Sequence, residues 1–340
     1  MKERIVYIGI IFLLVIASFN ASATFVQEEE CGCSSIVANN EGGISGDHKY
    51  GLGLLVDNPN DSGLPEPIDL IGNPPSSWDW RDVNGKNWVT PIRDQGPCGS
   101  CYAFAVVAAM ESMYRIQKND PNLDIDLSEQ AIVSCSQSFP WINGGCCGGL
   151  LSETLLFLRV QGVPSENCFP YAAVDANGRD AYDCPDEMPS YDPVKCSDRC
   201  PNWEDQVRKI SSYHSLYLKR SIKIAISSYG PVIASFKVYE DFYDYDGGIY
   251  EHEYGALEGN HLVAIIGYDD SQGYWICKNS WGTYWGEDGF FKIKYGECKI
   301  DSPRSCVYFK HCSKSQVYFN SPVNQLFEKV YLLQYFLKVL

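Results

Sequence analysis

Histidine is scarce in this chain, five among 340 residues, at positions 48, 214, 252, 261 and 311. Any reaction that needs an imidazole must use one of these. Cations are also few, 27 Lys plus Arg against 43 Asp plus Glu, and the net charge of −16 argues against nucleic acid or anionic membranes as partners. Apolar runs long enough to span a bilayer are missing: the run from Ile5 to Ile16 is too short. With its basic start and the small residues Ala21 and Ala23 behind it, that run reads as a secretory signal peptide over residues 1–23. The segment 313–340 ends in "NQLFEKVYLLQYFLKVL", again too short for a membrane anchor, and its role is left open. There is no internal repeat. Between residues 24 and 75 no long amphipathic helix pattern occurs, so this Gly-, Asn- and Pro-rich stretch reads as a short pro-segment or linker.

Cysteine, by contrast, is plentiful. An exported chain carries its thiols into an oxidising compartment, so most of the 15 cysteines are expected in disulfides, and the odd number leaves one over. With 45% apolar and 14% aromatic residues the chain can fill a sizeable core, and a compact domain is expected over residues 76–312. "CYAFAVVAAMESMYRIQ" from Cys101 is apolar or small on nearly every face and predicts a buried helix; "LSEQAIVSC", capped by Ser128, and "GGLLSETLLFLRVQG", closed by Gly162, predict two more. Beyond Cys200, "GPVIASFKVY", "NHLVAIIGYDD", "YWICKNSW" and "GFFKIKYG" predict strands. Helices followed by strands make an α+β chain whose cleft is expected at the seam between two lobes.

The stretch "DQGPCGSCYAF" places Cys98 and Cys101 three apart at the mouth of the first helix. A redox dithiol would want a thioredoxin-like βαβ setting, which the flanking pattern does not supply, and a zinc site would want two further ligands at suitable spacing. The remaining reading divides the labour. Cys101 opens the helix, where unsatisfied N–H groups favour a thiolate, and Cys98 sits on a glycine turn as a disulfide arm. A nucleophilic thiol needs a base and something to orient that base. His261 heads an apolar strand, and Asn279, flanked by Trp281 and Trp285, offers an amide that can fix an imidazole tautomer away from water.

Taken together, "QGPCGSCYAF", "NHLVAIIGY" and "KNSWGTYWGEDGF", in that order between Pro75 and Val307, resemble the papain-like cysteine peptidases. The resemblance implies a two-lobe fold: an N-terminal helical lobe with a long central helix, and a C-terminal antiparallel sheet or barrel lobe. It also implies a catalytic set of Cys101 as nucleophile, His261 as general base, Asn279 as its orienting partner and Gln95 as an oxyanion donor. Gly148 and Gly149 match a wall that pairs with an extended substrate backbone, Trp281 a shield beside the histidine, and Pro303, with Leu151 and Leu262, the main specificity pocket. That lining predicts a preference for an apolar side chain two residues before the cut. Disulfides Cys98–Cys146, Cys135–Cys196 and Cys168–Cys200 are implied in the pattern of cathepsin B-like members. A local Cys298–Cys306 loop is a further candidate, while Cys31, Cys33, Cys147, Cys184, Cys277 and Cys312 are unplaced.

Tyr102 replaces the tryptophan that most relatives carry, and the short pro-segment leaves latency unexplained. One route to latency is a mixed disulfide from Cys31 or Cys33 onto Cys101. The insertion between Cys168 and Cys200 lacks the histidines with which cathepsin B-like enzymes hold a substrate's C-terminal carboxylate, although Arg179, Lys195 and Arg199 are there. The sequence therefore points to a secreted thiol endopeptidase without cofactor or metal, acting on proteins or peptides through an acyl-enzyme. The competing readings are a catalytically silent peptide-binding protein on the same fold and a thiol–disulfide oxidoreductase.

Overall fold

Ala, Val and Met crowd the first helix, α1 (Cys101–Lys118), on all sides, and its residues from Cys101 to Val107 are buried. It stops at Asn119, which turns left-handed (φ 51°) and returns its N–H to the carbonyls of Arg115 and Ile116, while Arg115 and Lys118 suit the negative end of the helix dipole. In the computed structural model the residues described are 50–55, 64–137, 143–180, 191–310 and 312–314, all within a unit spanning Glu41–Leu340. The signal peptide, Cys31, Cys33, His48, Cys184, His311 and nearly all of the C-terminal tail lie outside them.

Two short helices pack on α1. Ser128 caps α2 (Glu129–Cys135) by accepting the Ala131 N–H, and α3 (Leu151–Val160) is buried over its first eight residues. Chain reversal after α3 needs Gly162 at φ +75°, where a Cβ would stand 2.4 Å from the Arg208 carbonyl oxygen. The helical core is held by three disulfides, Cys98–Cys146, Cys135–Cys196 and Cys168–Cys200, the pairs that the resemblance implies. With Cys98 tied to Cys146, the Cys98–Cys101 dithiol is absent. Cys147 is also disulfide-bonded.

The strands are β1 (Ser77–Asp79), β2 (Arg208–Ile210), β3 (Tyr213–Leu216), β4 (Val232–Tyr239), β5 (Ile249–Tyr250), β6 (Leu257–Asp269), β7 (Tyr274–Lys278), β8 (Phe290–Lys294), β9 (Cys306–Phe309) and β10 (Cys312–Lys314). Eight form one sheet in the order β3-β9-β4-β6-β7-β8-β5, with β1 pairing to β6; β10 and β2 make a separate ribbon. The sheet is not a closed barrel, and its last pairing, β5 with β8, is parallel rather than antiparallel. One further helix, α4 (Lys219–Tyr229), lies within the strand half and presents Ile222, Ala225 and Ile226 to a second core.

The local Cys298–Cys306 disulfide does not form. Cys277, Cys298 and Cys306 are buried free thiols. Cys298 and Lys299 both adopt left-handed backbone angles (φ 46° and 63°) in the turn that leads to β9, and the Cys306 thiol is directed to the Ile300 carbonyl at 3.3 Å.

Candidate active site

At the start of α1, Ser100 provides no side-chain cap and the first turn holds no acidic residue, so the N-terminal N–H groups remain able to favour an anion. Cys101 stands there as a free thiol, fully buried. Burial pushes it up to about 11, opposed by hydrogen bonding to the backbone of Leu262, Gly53 and Tyr102. Leu262 is the neighbour of His261 on β6, which packs against α1. The helical and strand lobes thus meet at this sulfur.

His261 is fully buried, with Phe236 and Trp281 against its ring, Trp281 at 4.9 Å. Its Nε2 lies 2.8 Å from Asn279 Oδ1, and that same oxygen accepts the Ser280 N–H at 2.8 Å. An amide oxygen at Nε2 selects the tautomer that carries the proton there, which leaves Nδ1 basic. Nδ1 is buried with no hydrogen-bond partner. Burial pushes the imidazole down to about 4, opposed by the Asn279 bond.

Gln95 is fixed from three sides. Its Oε1 accepts Ser280 Oγ at 2.7 Å, its N–H reaches the Ser280 carbonyl, and its carbonyl accepts the Tyr171 hydroxyl. Nε2 then donates to the carbonyls of Gly51 and Cys98, 2.8 Å each. Ser280 and Tyr171 do not stand out in the sequence; the one signal was the place of Ser280 between Asn279 and Trp281. A buried polar tie secures the same strand end. Lys278 Nζ donates to the Thr90 carbonyl and hydroxyl, and Thr90 Oγ1 donates to Glu111 of α1 at 2.6 Å. Burial lowers Lys278 to about 8 despite the attraction of Glu111.

Residues 50–55 run through the seam in extended form. Tyr50 stacks on Trp281 at 5.0 Å, the Gly51 carbonyl takes the Gln95 amide, and Leu54 forms a parallel bridge with Gly149. Gly149 donates to the Gly53 carbonyl at 2.9 Å and accepts the Leu55 N–H at 3.0 Å, while the Asn260 carbonyl accepts the Leu54 N–H. Glycine is required for this path: a Cβ on Gly53 would fall 1.7 Å from the Gly99 carbonyl oxygen. Gly148 instead closes a tight turn with Gly145, and Tyr102, whose hydroxyl bonds the Gly145 carbonyl at 2.9 Å, braces the glycine wall from behind. The free Cys101 thiol excludes a mixed disulfide from Cys31 or Cys33 in this state.

Beside Gly149 opens a groove of about 610 Å³ lined by Leu54, Leu55, Leu151, Phe236 and Pro303, among others. Leu262 is not part of it. Its side chain is buried in the helical core instead. Of the cations in the insertion, the Arg199 guanidinium lies 3.6 Å over Trp203, and the Lys195 backbone N–H bonds Asp198.

Residues 74–308 match the profile described as papain family cysteine protease. The chain belongs to that family. It is accordingly a cysteine peptidase by descent, and among its relatives is the "Cathepsin B-like CP2" of Giardia intestinalis, 31% identical over 88% of this chain and 99% of the relative. A cathepsin L-like proteinase of Fasciola hepatica is 34% identical over 64% of this chain, and the match spans only 60% of that protein's length. Among solved structures, procathepsin B of Trypanosoma congolense superposes with a TM-score of 0.61 at 23% identity over 76% of this chain and 86% of its own, a likeness of fold. Cathepsin-like relatives and three disulfides fit a secretory or lysosomal compartment for this papain-family protease. No helix among the described residues is long and apolar enough to cross a membrane.

Proposed function

We propose that this chain is an exported cysteine endopeptidase that cleaves peptide bonds through a thioester at Cys101. The observation that carries the reading is the His261–Asn279 hydrogen bond, which leaves a basic Nδ1 in the wall where a helix-borne free thiol lies. His261 takes the Cys101 proton, and the sulfur attacks the substrate carbonyl carbon. The oxygen becomes an oxyanion held by Gln95 Nε2 and the Cys101 N–H, and the imidazolium protonates the departing amine as the C–N bond breaks. Water, deprotonated by His261, then splits the thioester into acid and thiol. Asn279 keeps the ring in the working tautomer and Trp281 shields that bond from solvent.

The intact chain reads as latent. Residues 50–55 cross the seam from Trp281 to Gly149, and the Gly51 carbonyl already occupies the Gln95 donor. Under that cover the thiol and imidazole are both dehydrated and neutral, with Cys101 near 11 and His261 near 4. Removal of the cover rehydrates the pair and lets the proton pass from sulfur to ring. Leu151, Phe236 and Pro303, which remain in the groove once the cover leaves, support a preference for an apolar side chain two residues before the cut.

Gln95 provides the test. In the processed protein, Gln95→Ala is expected to lower kcat by about 10²–10³ with little change in KM, the usual effect of losing one oxyanion donor. Steady-state hydrolysis of a fluorogenic peptide measures it, and an unchanged kcat contradicts the assignment.

A further inference from the structure

Carboxylates outnumber cations in this chain, yet the groove beside Gly149 reverses that balance. Among the described residues its ionisable lining is Lys237, Lys299 and Arg304, with no carboxylate. Asp301, adjacent in sequence, is buried and engaged with the Trp275 indole N–H and the Gly296 N–H, both at 3.0 Å. Three cations around an apolar floor of Leu151, Phe236 and Pro303 create a local positive field in a strongly negative molecule. A partly desolvated wall focuses such a field.

The chain itself seats a carboxylate on that field. Both oxygens of Glu66 accept from Arg304 Nη2, at 2.8 and 2.7 Å, while Leu54, Leu55 and Leu64 line the same groove. The Glu66 side chain is 87% exposed, so this ion pair adds little to stability. Its meaning is chemical: the segment covering the groove presents apolar side chains together with an acid.

We propose that, once residues up to the start of the compact domain are removed, this groove selects peptides with an acidic side chain next to an apolar one. The acid stands three residues before the scissile bond, next to the apolar side chain at the second, and is held by Lys237, Lys299 and Arg304. The proposal rests on the peptidase reading for the word scissile, but the preference is a property of binding and is measurable without turnover.

The experiment uses the processed protein and the fluorogenic series acyl-Xaa-Leu-Gly-amide, with Xaa as Glu, Gln or Lys. Within this series kcat/KM is expected to be tenfold or more higher for Glu than for Lys, mainly through KM. The ratio should shrink in 0.5 M salt, where the screening length falls to about 4 Å, and should invert in Arg304→Glu. The same peptides are titrated by fluorescence anisotropy against processed Cys101→Ala, where the Glu peptide should bind tenfold more tightly than the Lys peptide. Glu and Lys peptides within twofold of each other in both assays, or Lys favoured, overturns the proposal. Loss of all hydrolysis with the binding preference intact would instead count against the peptidase reading alone.

Discussion

Replacing Cys101 with alanine in the processed protein is expected to lower kcat for peptide hydrolysis by about a millionfold, to the rate left by positioning alone. His261→Ala should cost nearly as much, and the Cys101→Ala, His261→Ala pair no more than either alone. Groups that act as one unit behave this way: an imidazole without a thiol to activate, or a thiol without its base, retains little of the chemistry. The physical ground is the pairing across the seam. His261 gives Nε2 to Asn279 and keeps Nδ1 without a partner, and Cys101 takes its hydrogen bonds from backbone, including that of Leu262, the residue after His261. Progress curves for the three variants decide the matter, with the Cys98–Cys146 disulfide, mapped by peptide mass, as a check that each has folded. Additive losses would mean that the two side chains work independently.

Gly53→Val should turn the intact chain from latent to active. The side chain has nowhere to go, since even a Cβ would lie 1.7 Å from the Gly99 carbonyl oxygen and 2.1 Å from its carbon, both backbone. Overpacking of this kind costs about 1–3 kcal/mol when neighbours can shift, and backbone at the base of α1 has little room to do so. At about tenfold per 1.4 kcal/mol, the equilibrium constant for seating residues 50–55 in the cleft should fall on the order of a hundredfold, and the open fraction should rise accordingly. Activity of the unprocessed variant should rise by a similar factor. Gly51→Val, whose Cβ would lie 2.5 Å from the Pro97 carbonyl oxygen, should act in the same direction. Titration of unprocessed protein with an active-site thiol reagent reads the effect, and a folded Gly53→Val chain as unreactive as the parent would show that these residues do not maintain latency.

The central features were legible because they reside in short range. Helix α1, the Ser128 cap and the four principal strands follow from periodicity and turn chemistry, and Gln95, Cys101, His261 and Asn279 stand in compact motifs. Features decided by distant parts of the chain were hidden. The path of residues 50–55 depends on the backbone of Gly149 and Asn260, so "YGLGLL" carries no period to read. Ser280 matters through Gln95, 185 positions away. The barrel was overstated because strand count says nothing about closure, and β5 ends the sheet by pairing parallel to β8. Leu262 was placed beside Pro303 by the resemblance, whereas its side chain is buried in the helical core. The short spacing of Cys298 and Cys306 suggested a bond, but in the structure the Cys306 thiol is directed to the Ile300 carbonyl instead.

The most direct test of the whole account is labelling of the processed protein with an epoxide-type thiol-peptidase inhibitor, followed by mass-spectrometric location of the adduct. One adduct per chain, on Cys101, lost in His261→Ala and slowed in Asn279→Ala, is the expected result. A processed, folded protein that takes no label, or takes it at Cys277, Cys298 or Cys306 with His261 making no difference, would contradict it.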